Sequence, residues 1–181
     1  MKQLHNRRSV RLKNHGYTHG TYFVTINAVN GECIFGEVVN GRMCLNEFGK
    51  IVRDEWLRTE QLRDNVLLDS FIVMPNHFHG IIRIDDGRRT GTARRARTAH
   101  PPAHPPALPR HFGKPISHSL PTIVGSFKSA VTRRINELRD SPGAGIWHRN
   151  YCEHVVRDIH DLNRIRAYIA QNPQKWLNRD I

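Results

Sequence analysis

"FIVMPNHFHGIIRI", residues 71–84, decides the fold. Pro75-Asn76 is a turn signal between two apolar runs, one reaching back through "NVLLDSFIVM" (65–74) and the other being "HFHGIIRI" (77–84). That pattern reads as strand, turn, strand. Side chains alternate across a strand, so His77, His79 and Ile81 share one face, and Phe78, Gly80, Ile82 and Ile84 share the other. The second face is apolar and can pack on helices. The two imidazoles stand opposite it, with Cα atoms roughly 6–7 Å apart. Three readings compete for them. They are solvated residues on a wet face, core histidines satisfied by local hydrogen bonds, or two ligands of one metal ion. Ring nitrogens at this spacing can converge on a zinc ion at roughly 2.0–2.1 Å. The spacing permits a metal and does not require one.

Working outward, "TYFVTINA" (21–28) alternates with Tyr22, Val24, Ile26 and Ala28 on one face, which predicts a strand. "IFGEVVNGRMCL" predicts a short hairpin about Asn40-Gly41. Residues 46–62 carry Phe48, Ile51, Val52 and Trp56 near helical spacing, with Asn46 as N-cap. Residues 119–139 form an amphipathic pattern through Leu120, Ile123, Val124, Phe127, Val131, Ile135 and Leu138, with Ser119 as cap. "IWHRNYCEHVVR" (146–157) reads as extended. The last helix runs over 158–172, capped by Asp158 and stopped by Pro173. This order predicts an α+β fold, with helices packed on one face of a largely antiparallel sheet.

The 181 residues suffice for one domain with a proper core. Lys plus Arg number 28 against 16 Asp plus Glu, a net charge of +12. That excess favours a polyanionic partner, with nucleic acid ahead of an anionic membrane surface. Its distribution is uneven. Residues 1–20 hold five cations and no acid, whereas 21–84 hold six cations and eight acids. Residues 85–120 hold seven cations and two acids, and 121–181 hold ten and six. The stretch at about 85–117 has six of the ten prolines within it and few large apolar residues, so it reads as a flexible basic insert in one domain spanning 1–181. No apolar run is long enough to span a bilayer, and no signal-peptide core follows the first Met. Three widely spaced cysteines argue against a disulfide framework. The expectation is a cytoplasmic, nucleoid-associated protein that does not bind membrane.

Two histidines leave a metal site unfinished. On the last helix Tyr168 and Asn172 are four residues apart and share one face, roughly 6 Å apart along the axis. Each also has an ordinary reading, Tyr168 as a core-edge tyrosine and Asn172 as a C-cap ahead of Pro173.

"VMPNHFHGIIRI", then "IWHRNYCEHVVR", then "LNRIRAYIAQNPQKW" together resemble the REP-associated tyrosine transposases. These belong to the HUH single-strand transposases, in which two histidines flank a hydrophobic residue. The match runs from about residue 9 to about 177, apart from the insert. The resemblance implies a ferredoxin-like sheet of the HUH-endonuclease type carrying His77 and His79. It implies Tyr168 as catalytic nucleophile and Asn172 as third ligand of a divalent Mg²⁺ or Mn²⁺, with Glu153 and His154 as fallback ligands. The implied activity is metal-dependent cleavage and rejoining of single-stranded REP-type DNA hairpins through a 5′-phosphotyrosine, by a monomer or homodimer. The alternative is a regulatory protein that binds hairpins without cutting. Arg7, Arg8, Arg11, Lys13, Lys128, Arg133, Arg134 and Arg149 are the candidate phosphate contacts. Tyr17, Trp147 and Tyr151 are candidates for stacking on bases, and each also reads as a core or edge residue.

Overall fold

A computed structural model describes residues 16–85 and 116–176. The arm with Arg7, Arg8, Arg11 and Lys13, and nearly all of the basic insert, lie outside the described residues.

Strand β1 (Gly20–Asn27) leads into a hairpin, β2 (Gly36–Val39) and β3 (Arg42–Leu45). Asn40 and Gly41 both adopt positive φ at its tip, 51° and 71°, as a two-residue turn between twisted strands requires. Helix α1 (Glu47–Gln61) follows, and the Asn46 side chain accepts from the Gly49 amide as its cap. Then come β4 (Val66–Val73), β5 (His77–Ile84), α2 (Leu120–Leu138), β6 (Cys152–Val156) and α3 (Ile159–Trp176). The four long strands form one antiparallel sheet in the order β4-β5-β1-β6. Leaving aside the β2–β3 hairpin and α3, the path is the β-α-β-β-α-β of a ferredoxin-like fold.

The β1–β5 register pairs Val24 with Gly80, Ile26 with Phe78 and Tyr22 with Ile82. These residues build the face that α1 and α2 cover, through Val52, Trp56, Ile123, Val124, Phe127, Val131 and Ile135. Each large apolar side chain so buried contributes about 1.5–3 kcal/mol. Gly80 is needed there. A Cβ at this position would lie 2.7 Å from the Trp56 ring and 2.8 Å from the Phe78 ring. Between the two helices Arg134 donates to buried Glu55 at 2.8 Å.

Four expectations need correction. Helices were expected on one face, which holds for α1 and α2, but α3 covers the other. β5 is buried along both faces except at Arg83, so its histidine side also needs cover. Ile165 and Ile169 of α3 meet Ile81 there, with Phe23, Ile72, Val156 and Leu162 around them. Pro173 does not stop α3, which continues to Trp176. The proline lacks one amide donor, yet it is buried, and the extra residues bring Trp176 against the His77 ring at 5.7 Å. Ser119 sits at the N-cap of α2 without capping it. Its hydroxyl donates to the Ile116 carbonyl at 2.7 Å instead, and Pro121 in the first turn has no amide to offer. Extended structure in 146–157 shrinks to β6 plus a bridge between Trp147 and Ala28. Among the described residues no helix is long and apolar enough to cross a membrane.

Candidate active site

The histidine face of β5 and the exposed edge of α3 meet at a cavity of about 520 Å³. His77, His79 and Tyr168 line it, and no carboxylate is among its lining residues. His77 and His79 are nearly buried, 7% and 4% exposed, with ring centroids 4.6 Å apart.

Each imidazole is tied back through Nδ1. The Asn76 side-chain nitrogen donates to the Gly31 carbonyl at 3.1 Å, which turns its oxygen toward His77. His77 Nδ1 donates to that oxygen at 2.7 Å. An amide oxygen only accepts, so Nδ1 carries the proton, and in the neutral ring the basic lone pair lies on Nε2. His79 Nδ1 lies 2.9 Å from the Thr25 hydroxyl, and its ring stacks on Phe23 at 5.3 Å. Partners on the far nitrogen fix ring orientation and tautomer in metal-binding histidines.

Tyr168 is 37% exposed, and its hydroxyl lies 3.4 Å from His79 Nε2. Its ring meets Phe23 edge-on at 6.1 Å, and Lys175 Nζ lies 5.9 Å from the ring centroid. Helix α3 is held in place at two points. Arg166 pairs with Asp69 of β4, with Nε donating to Oδ1 at 2.9 Å. This guanidinium holds the Asp69 carboxyl down at about 2. At the helix start Asp161 pairs with His154 at 2.7 Å, which holds its carboxyl down at about 2 as well.

Asn172 is buried on α3, one turn beyond Tyr168, and is not among the residues that line the cavity. Among the described residues no three His, Cys, Asp or Glu side chains are grouped closely enough to hold a metal. The fallback ligands have other partners. Glu153 pairs across β1 with Val24, which puts it on the face of α1 and α2, where it accepts from Tyr17 at 2.9 Å. His154 is engaged by Asp161.

The basic candidates divide. Lys128 donates to the carbonyls of His148 and Arg149 at 2.8 and 3.0 Å, and burial lowers the pKa of its ammonium. Arg134 is committed to Glu55, whereas Arg133 makes only a long contact with Glu137, at 3.8 Å on an exposed surface. Arg149 is exposed beside His148, which itself lines the cavity. Tyr17 and Trp147 belong to the core, and Tyr151 is half-buried against it. The sequence reading missed Thr25, Asn76 and Phe23. Thr25 stands directly across from His79 in the sheet, a signal that exists only once the strand register is known.

No family model matches the chain. A solved structure of a REP-associated tyrosine transposase bound to a REP hairpin shares the fold. Its TM-score is 0.52 at 16% identity, covering 92% of this chain and 74% of that one. In sequence the chain is 36% identical over 179 residues to an uncharacterized protein of Haemophilus influenzae, covering 96% of this chain and 91% of that one. The chain belongs to the family of that protein.

Proposed function

We propose that the protein is a metal-dependent endonuclease and strand transferase, transposase-like, acting on single-stranded DNA hairpins of the REP type. The observation that carries this reading is the Tyr168 hydroxyl 3.4 Å from His79 Nε2, beside two imidazoles whose Nδ1 atoms are both engaged. The fold it shares with a transposase bound to a REP hairpin supports the same reading.

His77 and His79 would hold a divalent ion through Nε2, with the Asn172 amide oxygen as the proposed third ligand. Two nitrogens and an oxygen suit Mn²⁺ and also accept Mg²⁺. Such an ion, when bound, draws charge from the nonbridging oxygens of the scissile phosphate. The chain does the rest. Tyr168 attacks phosphorus, the bond to the 3′ oxygen breaks, and the DNA is left on the enzyme as a 5′-phosphotyrosine with a free 3′-hydroxyl. The phenol proton passes to solvent in the open cavity, and the leaving oxygen takes one up. The bond energy is conserved, so a 3′-hydroxyl can reverse the step and join a new end. Phe23 and the α3 anchors keep the tyrosine ring at the phosphate. Exposed Arg149, next to the cavity-lining His148, and the arm cations Arg7, Arg8, Arg11 and Lys13 would track the backbone.

The test is incubation of labelled hairpin DNA with protein and Mn²⁺, followed by a denaturing gel and mass spectrometry of the digested adduct. Wild type is expected to give a covalent adduct on a peptide containing Tyr168, and Tyr168→Phe none, with hairpin affinity retained. Equal cutting by both without an adduct would make water the nucleophile. Tight hairpin binding without any cutting would leave a regulatory binder.

A further inference from the structure

Helix α3 continues past Pro173 to Trp176, and that last turn is held on two sides. The β2–β3 hairpin tip lies against Gln174, whose Cγ would be 3.5 Å from a Cβ at Gly41. Trp176 packs on the His77 ring at 5.7 Å. Between them stands Lys175, which is exposed, with Nζ over the Tyr168 ring at 5.9 Å from its centroid. Seven residues separate the two, so they share one side of the helix, two turns apart. Phe23 and His79 meet the same ring at steep angles, 88° and 66°. No Lys or Arg is among the residues that line the cavity. Other cations of this face are committed, Arg166 to Asp69 and Arg164 to Asp161. Lys175 pairs with no carboxylate among the described residues, and the partner its ammonium does have is the Tyr168 ring.

We propose that Lys175 is the electrostatic partner of Tyr168 in the transfer chemistry, a role that rests on the reading of Tyr168 as nucleophile. While the hydroxyl is neutral, the ring quadrupole alone attracts the ammonium. When the tyrosine oxygen carries charge, a Coulomb attraction is added. An interaction that grows in this way favours the transition state over the resting state. The charge appears in both directions of the reaction. In cleavage the phenol proton leaves to solvent, the oxygen–phosphorus bond forms, and the bond to the 3′ oxygen breaks. In rejoining a 3′-hydroxyl loses its proton and bonds phosphorus, the tyrosine–phosphorus bond breaks, and the departing phenolate takes a proton from solvent. Lys175 stays an ammonium throughout and exchanges no proton. A lysine in the last turn of a helix also complements the helix dipole. That role alone would affect the stability of α3 and would be blind to how readily the tyrosine oxygen bears charge.

The experiment measures single-turnover adduct formation and rejoining on one hairpin DNA with Mn²⁺, for wild type, Lys175→Met and Lys175→Arg. Each protein is also made with difluorotyrosine at position 168, whose fluorines stabilise the phenolate without help from a lysine. Thermal melts and hairpin affinity without metal are measured alongside. Lys175→Met is expected to slow both steps about tenfold, the rate equivalent of a cation–π contact shielded from water, with melts and affinity near those of wild type. Lys175→Arg keeps the charge and should restore most of the rate. Difluorotyrosine should narrow the gap between Lys175→Met and wild type. Equal rates in wild type and Lys175→Met overturn the role of Lys175 and leave the cleavage reading standing. A Lys175→Arg as slow as Lys175→Met overturns it too, because charge is then not what acts. A gap that difluorotyrosine leaves unchanged also overturns it, and makes Lys175 a contact to the DNA instead. No adduct in any of the proteins overturns both this role and the cleavage reading.

Discussion

His79 is fixed from two sides, by the Thr25 hydroxyl on Nδ1 and by the Phe23 ring against its plane. Thr25→Val keeps the β-branched shape and removes the hydroxyl. It removes the hydroxyl's hydrogen bond to Nδ1 and leaves the ring less firmly oriented. Mn²⁺ affinity should fall about 10- to 100-fold, the usual effect of losing such a support, with the fold intact. His77→Ala or His79→Ala should remove most of the affinity outright. Calorimetric titration of Mn²⁺ decides this, and equal affinity in wild type and all three variants would return the pair to the reading of satisfied core histidines. The pair itself was legible from alternation alone, and Tyr168 and Asn172 from helical spacing. Thr25 and Asn76 were not, because their roles depend on which residues lie across the sheet and on how a turn closes. For Trp147 the core alternative holds over base stacking, since the indole packs between Phe35 and Phe127.

Helix α3 positions Tyr168, and it rests on a small apolar cluster and two ion pairs rather than on the main core. The Asp69 pKa of about 2 lies below the ordinary aspartate value of about 3.9. A depressed folded-state pKa stabilises above the unfolded value. The contribution is therefore complete above about pH 4 and is lost as pH falls through about 2. Asp69→Asn should remove this acid-dependent step, loosen α3 and slow adduct formation at neutral pH, with little effect on hairpin binding. Acid unfolding followed by circular dichroism tests the first part, and an unchanged acid limb would show that the pair does not hold the helix. On the opposite face of β5, Gly80→Ala should destabilise the fold by about 1–3 kcal/mol in denaturant titration. The Trp56 and Phe78 rings that would meet the new methyl are fully buried and have little room to yield. Most element boundaries followed from periodicity and turn residues. The reach of α3 past Pro173 did not, because a proline in a last turn forgoes one hydrogen bond, while packing against β5 decides whether the chain stays helical.

For the molecule as a whole, alternation and element order gave the α+β class, but strand order could not be read from them. The sheet places β1 in the middle, between β5 and β6, which brings the first strand to the histidines of the fifth. The charge shows the same separation of tasks. Residues 21–84, which supply most of the sheet, carry eight acids against six cations, and the net charge of +12 comes from the rest of the chain. Hairpin binding should therefore be steeply salt-dependent, with log K falling against log salt by ~0.7 for each phosphate neutralised on a single strand. Individual cations should act differently according to their partners. Arg149→Gln removes an exposed cation next in sequence to the cavity-lining His148 and should reduce the slope by ~0.7 without changing stability. Replacing Arg7, Arg8, Arg11 and Lys13 together by Gln should reduce it by up to ~3. Arg134→Gln should leave the slope unchanged, because that guanidinium is already committed to Glu55, and should lower stability by leaving the buried carboxylate with only the longer Arg58 contact at 3.5 Å. Filter-binding titrations across a salt series, paired with thermal melts, separate the two classes. A slope that dropped equally for Arg134→Gln and Arg149→Gln would mean that the Arg134 guanidinium also reaches the DNA and is not committed to Glu55.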